Sequence, residues 1–324
     1  MGIALILVAF AIWVNRSVAR ADEAYPPAGR FLSVAHARLH YVDTGYASNG
    51  ESPVVLIHGN AGSVRDFDRL VPSLAASRRV IAIDRPGHGH SARPDLDGTT
   101  PVAQAGMLHS LLDQAGVRRP ILVGHSWGGA VALAYATEYP GDVAGLVLLG
   151  TRAYPVDGPP DPLYTLLRQP IIGPLLRATV VPIFGRDILE ARVEAAYRPD
   201  SVQHDHLASA RALWMRPGQI GATVWDTFLL QRDAPALARK YATISAPVMI
   251  MVGDADDLLP ESQQLSTHLP NAWIEVLSGA GHYLQRTHVG DVQRAIAIVG
   301  ARARAAVPAS GASPLIPAPG VPPE

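Results

Sequence analysis

The chain has 324 residues, of which 48% are hydrophobic, and a formal net charge of −1. That length allows one large domain or a core with an insertion, and nothing in the charge balance points to nucleic acid or another polyanion as a partner. With no cysteine, disulfides, thiolate metal sites and cysteine nucleophiles are excluded as well.

Residues 3–14 (IALILVAFAIWV) are wholly apolar, and Asn15, Arg16 and Arg20 follow. The run is short against the about 20 residues of a full span. Even so, residues 1–21 are expected to act as a single N-terminal membrane anchor, with Arg16 reaching the interface. The alternative is export after cleavage at Ala19-Arg20-Ala21, although no basic residue precedes the apolar run. Residues 22–29, with Tyr25-Pro26-Pro27-Ala28-Gly29, read as a linker.

The body alternates two kinds of segment. Residues 31–43 (FLSVAHARLHYVD) carry apolar residues at period two, as a hairpin does. Short apolar runs follow at 54–57, 80–83, 121–123, 146–149, 248–252 and 273–277, with helix patterns at 66–76 and 101–115. Buried strands separated by helices predict an α/β fold: a mostly parallel sheet covered on both faces. Between 152 and 243 the rhythm changes to proline-dotted helical segments such as 188–197 and 219–231, which predicts a helical cap over one sheet edge. The organisation expected is therefore core at 30–151 and 244–301, cap at 152–243, and a Pro/Ala-rich tail at 302–324, whose last eighteen residues carry six prolines.

The stretch ILVGHSWGGAVALAYA (121–136) joins a strand to a helix with no ordinary loop between them. A turn that sharp strains the backbone at Ser126 and tolerates only tiny residues two before and two after it. Gly124 and Gly128 meet that demand, and Gly129 lets the helix lie close to the strand. Ser126 then sits at the carboxyl end of a central strand and at a helix N-terminus, where negative charge is favoured. It is the candidate nucleophile.

A serine nucleophile needs a base and an orienting acid. His282 follows the last strand directly, in SGAGHYLQ, at the same sheet edge as Ser126. His36 and His40 in the hairpin, and His204 and His206 in the insertion, are expected at the surface; His88 and His90 are expected to be structural. The acid belongs to the loop GDADDLLP after 248–252, which offers Asp254, Asp256 and Asp257.

Four motifs, HGN (58–60), DRPGHGHS (84–91), GHSWGG (124–129) and GAGH (279–282), together resemble the α/β-hydrolase superfamily over about residues 30–300. The resemblance implies a serine-nucleophile, esterase- or lipase-like member with a helical cap. Within the family's G-x-x-D-x-x-x-P loop it selects Asp256, giving the order Ser126, Asp256, His282. It also assigns the oxyanion hole to the backbone N–H groups of Asn60 and Trp127. The apolar N-terminus resembles that of membrane-anchored bacterial members.

Haloalkane dehalogenases also place Asn and Trp at these two positions, where the side chains hold halide, but they use an aspartate nucleophile. Serine at 126 points instead to acyl transfer on a small-molecule ester, lactone or lipid-like substrate. Carbon–carbon bond hydrolases share the triad but resemble Gly-His-Trp where this chain has Gly281-His282-Tyr283. An acyltransferase and a non-catalytic ligand-binding protein are the other readings. Tyr154, Tyr164, Trp214, Trp225 and Phe228 are candidates to line an acyl pocket in the cap. No cofactor, metal or protein partner is expected.

Overall fold

The computed structural model describes residues 2–45, 50–96 and 98–306, with only the backbone for residues 2–8 and 11. Eight strands form one sheet: β1 (Arg30–Val34), β2 (Ala37–Asp43), β3 (Val54–Ile57), β4 (Val80–Ile83), β5 (Ile121–His125), β6 (Gly145–Leu149), β7 (Val248–Gly253) and β8 (Ala272–Leu277). Their spatial order is β1-β2-β4-β3-β5-β6-β7-β8. Only β2 runs antiparallel to its neighbours β1 and β4; every other pairing is parallel.

The central strands VVLI, VIAI and GLVLL are buried along their whole length, as continuous apolar runs in a sheet covered on both faces must be. One face packs on α3 (Pro101–Gln114) and α4 (Trp127–Glu138) through Leu108, Leu111, Ala130 and Leu133. The other packs on α2 (Leu70–Ala75) and α13 (Val289–Ala305) through Leu70, Val292, Ile296 and Val299. Two further helices, α11 (Leu259–His268) and α12 (Leu284–Thr287), follow β7 and β8. The helix expected at 66–76 is divided: a 3₁₀ turn at Val64–Phe67 precedes α2, because Ser63 and buried Asp66 form a capping box that fixes the first turn.

The insertion folds into α5 (Pro162–Leu167), α6 (Ile172–Ala178), α7 (Val181–Phe184), α8 (Arg186–Tyr197), α9 (His204–Leu213) and α10 (Pro217–Ala238). The long α10 packs against α3 of the core and against α5 and α6.

Two terminal expectations change. The N-terminal segment is a 23-residue helix, α1 (Gly2–Ala24), that runs through the residues expected to begin a linker. Its second half carries Arg16, Arg20 and Asp22 and lies against α6 and α9. Val14 and Ala21, two turns apart, are buried, and Asp22 pairs with Arg216 at 2.8 Å. Among the described residues no helix is long and apolar enough to cross a membrane; the side chains of residues 1–8 lie outside them. At the other end α13 continues past residue 301 to Ala305, where Arg302 stacks on Trp273. The proline-rich stretch at 307–324 lies outside the described residues.

Candidate active site

The strand register brings the candidate groups to one edge. Ile57 pairs with Gly124, His125 with Leu149, Leu149 with Met251 and Gly253 with Leu277. The residues that follow these strands, 58–60, 126, 150, 254–257 and 278–282, therefore emerge side by side.

Ser126 joins β5 to α4 with φ 51° and ψ −118°, a left-handed conformation costly for a residue with a side chain. The strain is held by Ser126 N–H donating to Leu149 O at 2.9 Å and by Ser126 O accepting from Gly129 and Arg152 N–H. A Cβ at Gly124 would lie 2.6 Å from the Gly129 Cα, so glycine is required where strand and helix cross.

His282 Nδ1 and Asp256 Oδ2 are 2.8 Å apart, and the second oxygen, Asp256 Oδ1, accepts from Leu258 N–H at 2.9 Å. Burial works to raise the Asp256 carboxyl. The hydrogen bond and charge of His282, together with the Leu258 N–H, outweigh it and hold the group below the usual carboxylate range. The other two aspartates of the loop do not reach the histidine. Asp254 accepts from Ser278 Oγ and Gly279 N–H and so ties the loop after β7 to the loop after β8, while Asp257 is exposed. No hydrogen bond joins the Ser126 hydroxyl to His282, a contact that in such sites commonly tightens only around substrate.

Sequence reasoning missed three supports of this constellation. Gly150, with φ +45°, leaves room for the pair: a Cβ there would sit 2.5 Å from Asp256 Oδ2 and 2.9 Å from His282 Nδ1. A glycine directly after an apolar strand was the signal available. His125 lies under His282, ring centroids 4.6 Å apart, and donates from Nε2 to the His282 carbonyl at 3.1 Å. Burial, then the neighbouring His282, hold the His125 ring down to about 3, so it stays neutral. The third support is Arg85, fully buried beneath the 58–60 loop.

The N–H groups of Asn60 and Trp127 are bonded to no other group among the described residues. Their side chains are committed elsewhere: Asn60 Nδ2 donates to Thr223 O and Thr227 Oγ1, and Trp127 Nε1 donates to Asp226 O, all on α10. The amide and indole that would hold a halide are thus spent on anchoring the cap.

A cavity of about 220 Å³ opens between α5, α7, α8 and α10, with Tyr164, Trp214 and Tyr283 in its wall. It reaches Ala61 and Thr223, beside Asn60, but not Ser126 itself. Three of the expected lining residues lie elsewhere. Tyr154 bonds His268 Nδ1 at 2.6 Å and packs edge-on to Tyr241. Trp225 and Phe228 pack beneath the Arg168 guanidinium. The cavity-facing side of α10 carries Ile220, Thr223 and Val224 instead, and one residue further turns a helical side chain by about 100°. Two histidines expected at the surface are buried: His40 against Asp84 at 2.7 Å, and His206 against the Tyr197 hydroxyl at 2.7 Å. Among the described residues no cluster of three or more ligand-type side chains could hold a metal ion.

A parallel sheet with one inverted strand, a strained serine at its centre and a histidine–aspartate pair at the same edge define a hydrolase class. The model of the alpha/beta hydrolase fold family matches residues 52–289, and the chain belongs to that family and is a hydrolase. It is 30% identical over 278 residues to a 2-hydroxy-6-oxononadienedioate/2-hydroxy-6-oxononatrienedioate hydrolase of Burkholderia vietnamiensis, covering 80% of this chain and 89% of that protein. It is 29% identical over 282 residues to a cis-3-alkyl-4-alkyloxetan-2-one decarboxylase of Shewanella oneidensis, covering 81% and 85%. Among solved structures, haloalkane dehalogenase DbeA from Bradyrhizobium elkani superposes with a TM-score of 0.69 at 22% identity, over 86% of this chain and 98% of that one. At that identity the likeness shows the fold alone.

Proposed function

We propose that the protein is a serine hydrolase that cleaves a carboxylic ester or lactone with an apolar acyl part. The observation that carries this reading is the Asp256–His282 pair at 2.8 Å, set beside a strained Ser126 with two uncommitted N–H groups next to it. Ser126 Oγ attacks the carbonyl carbon while His282 takes its proton; the Asn60 and Trp127 N–H groups receive the oxyanion. The leaving alcohol takes the proton from His282 and departs. Water, deprotonated by His282, then releases the acid from Ser126. Asp256 holds the imidazole in the tautomer whose Nε2 faces the serine. The apolar cavity walled by Tyr164, Trp214 and Tyr283 suits the acyl chain.

A fluorophosphonate probe should label Ser126 alone, and Ser126→Ala should abolish labelling and lower p-nitrophenyl ester turnover about 10⁶-fold. Turnover that survives Ser126→Ala would move the chemistry elsewhere. A second reading, hydrolysis of a carbon–carbon bond, is favoured by the name of the Burkholderia relative. A 2-hydroxy-6-oxo-dienoate assayed beside an ester panel separates the two: the first reading requires kcat/KM to be higher for an ester.

Membrane association is a separate proposal. It is supported by the apolar run at 3–14 and by Trp13 of α1 and Phe184 of α7, both exposed. Full-length protein that stays in the soluble fraction when membranes are pelleted would refute it.

A further inference from the structure

The two oxyanion donors sit on peptides that are treated very differently. The Trp127 N–H belongs to the Ser126 peptide, whose carbonyl accepts two neutral backbone bonds, from Gly129 at 3.0 Å and Arg152 at 3.2 Å. The Asn60 N–H belongs to the Gly59 peptide, whose carbonyl takes three donors. Arg85 Nη2 lies 2.9 Å from that oxygen, His58 Nδ1 2.8 Å and Gly62 N 3.3 Å. The His58 tautomer follows from its partners. Arg85 N–H donates to His58 Nε2 at 2.9 Å, so the proton sits on Nδ1 and points at the Gly59 oxygen.

Arg85 is built into place. Its Nε donates to His58 O at 3.0 Å, and its Nη1 meets Gln104 Oε1 at 3.1 Å and Asp226 Oδ2 at 2.6 Å. Its guanidinium carbon lies 4.3 Å from the centre of the Trp127 ring, whose indole N–H bonds the Asp226 carbonyl. Asp226 also takes Arg93, and both arginines reach it from the core, whereas Asp226 belongs to cap helix α10.

We propose that Arg85 is a positioning residue that polarises the Gly59–Asn60 peptide, making the Asn60 N–H the stronger donor of the oxyanion hole, and that Asp226 couples this to cap docking. A cation at a carbonyl oxygen draws electron density across the amide and sharpens its N–H as a donor, an effect enhanced where water is excluded. Peptide polarisation of this kind favours the transition state over the bound substrate, because the full negative charge develops only there. The inference rests on the acyl-hydrolase reading above.

The first test needs no substitution. The dipeptides Gly-Asn and Ser-Trp each occur once in the chain, at 59–60 and 126–127. Labelling glycine carbonyls with ¹³C and asparagine amides with ¹⁵N in one sample, and serine carbonyls and tryptophan amides in a second, therefore isolates each donor amide by NMR, since a single sample would also select Ser48-Asn49. In the enzyme phosphonylated at Ser126 with a fluorophosphonate, the Asn60 amide proton should lie further downfield than that of Trp127. Equal shifts, or the reverse order, overturn the proposal while leaving the hydrolase reading intact. If no Ser126 adduct forms, both fall together.

The second test removes the charge. Arg85→Met alone leaves the buried Asp226 Oδ2 without its cation, so it is paired with Asp226→Asn, which still offers Arg93 an acceptor. On p-nitrophenyl butyrate the double variant should lose about 10–100-fold in kcat with KM within about threefold, and its acyl-enzyme carbonyl should absorb at higher frequency in the infrared. Arg85→Lys keeps a cation and should recover part of both. A variant with native melting and unchanged kcat and carbonyl frequency overturns the proposal.

Discussion

Along the carboxyl edge of the sheet, side chains are held by short polar contacts: Asp256 on His282 at 2.8 Å, Arg85 on Gly59 O at 2.9 Å, Asp84 on His40 at 2.7 Å. Across from it, α5 to α8 rest on apolar packing and exposed ion pairs such as Arg192–Asp161, and leave Ile171 85% and Phe184 70% exposed. The first region suits a reaction, which needs atoms fixed in place and dipoles oriented before charge develops. The second suits a variable apolar ligand, since non-directional packing accepts many shapes. Two helices belong to both: α10, with Asp226 on the edge and Ile220 and Val224 on the cavity, and α8, whose Ala196 O accepts from His282 N–H at 2.8 Å while Val193 lines the cavity. Substitutions at the edge should therefore act on turnover and stability, and substitutions in the cap on substrate preference.

The largest contrast lies within one loop. Asp256→Asn should lower kcat about 10⁴-fold, because an amide favours the wrong imidazole tautomer. Asp254→Asn should cost under about tenfold, its role being to tie two loops. Steady-state kinetics on a p-nitrophenyl ester decides, and a larger loss at Asp254 would reverse the assignment.

Gly150→Ala should be nearly as informative. The added methyl collides with the Asp256–His282 pair, and φ +45° adds strain. We expect about a 10²-fold loss in kcat, of the size produced by slight misplacement of reacting groups, with ester KM little changed. Wild-type kinetics from this variant would mean that the pair has slack that the distances deny.

Acid should weaken the edge before the cap. His125 and His58 are buried neutral; burial, followed by the charge of His282 and of Arg85 respectively, lowers them to about 3 and about 4. Unfolded, each titrates near its ordinary 6.5, so between about pH 6.5 and 4 the unfolded chain binds protons that the folded one refuses. Stability is full above that window and falls on acidification, by on the order of 3 kcal/mol per ring at about pH 4 as an upper bound. Asp256, held low, contributes in the same direction below its ordinary range. Urea midpoints at pH 7.5 and 5.0 test this, with His125→Gln, which retains a donor for His282 O, showing the flatter profile. Equal midpoints for the wild type would contradict it.

The smallest effects belong to the cap. Trp214→Ala should raise KM for long acyl esters several-fold and leave short ones nearly untouched, since Trp214 walls the cavity. Trp225→Ala should alter neither, because its ring packs under Arg168. An acyl-length panel separates them, and equal behaviour would erase the distinction between the two faces of α10.

Most of the edge was legible in the chain itself. Strands such as VVLI and GLVLL reveal themselves by continuous apolarity, and the elbow by glycines at fixed offsets from Ser126, because steric exclusion acts over a few neighbouring residues. The last strand placed His282, but the choice among Asp254, Asp256 and Asp257 needed the family resemblance. Local rules could not separate three carboxylates in four positions, whereas the loop's path turns only one toward the imidazole.

What the sequence determined by itself was local: the α/β alternation, the strained serine, the apolar N-terminal run and the helical insertion. Tertiary structure alone decided which partners distant residues meet. It buried His40 and His206, turned Trp225 and Phe228 away from the cavity, laid the second half of α1 against the cap, and set Arg85 between Gly59 and Asp226. Residues 141 positions apart, as Arg85 and Asp226 are, share no pattern that periodicity can register. Their contact exists because the sheet order and cap packing close the distance, and because a buried charge is stable only where a partner meets it.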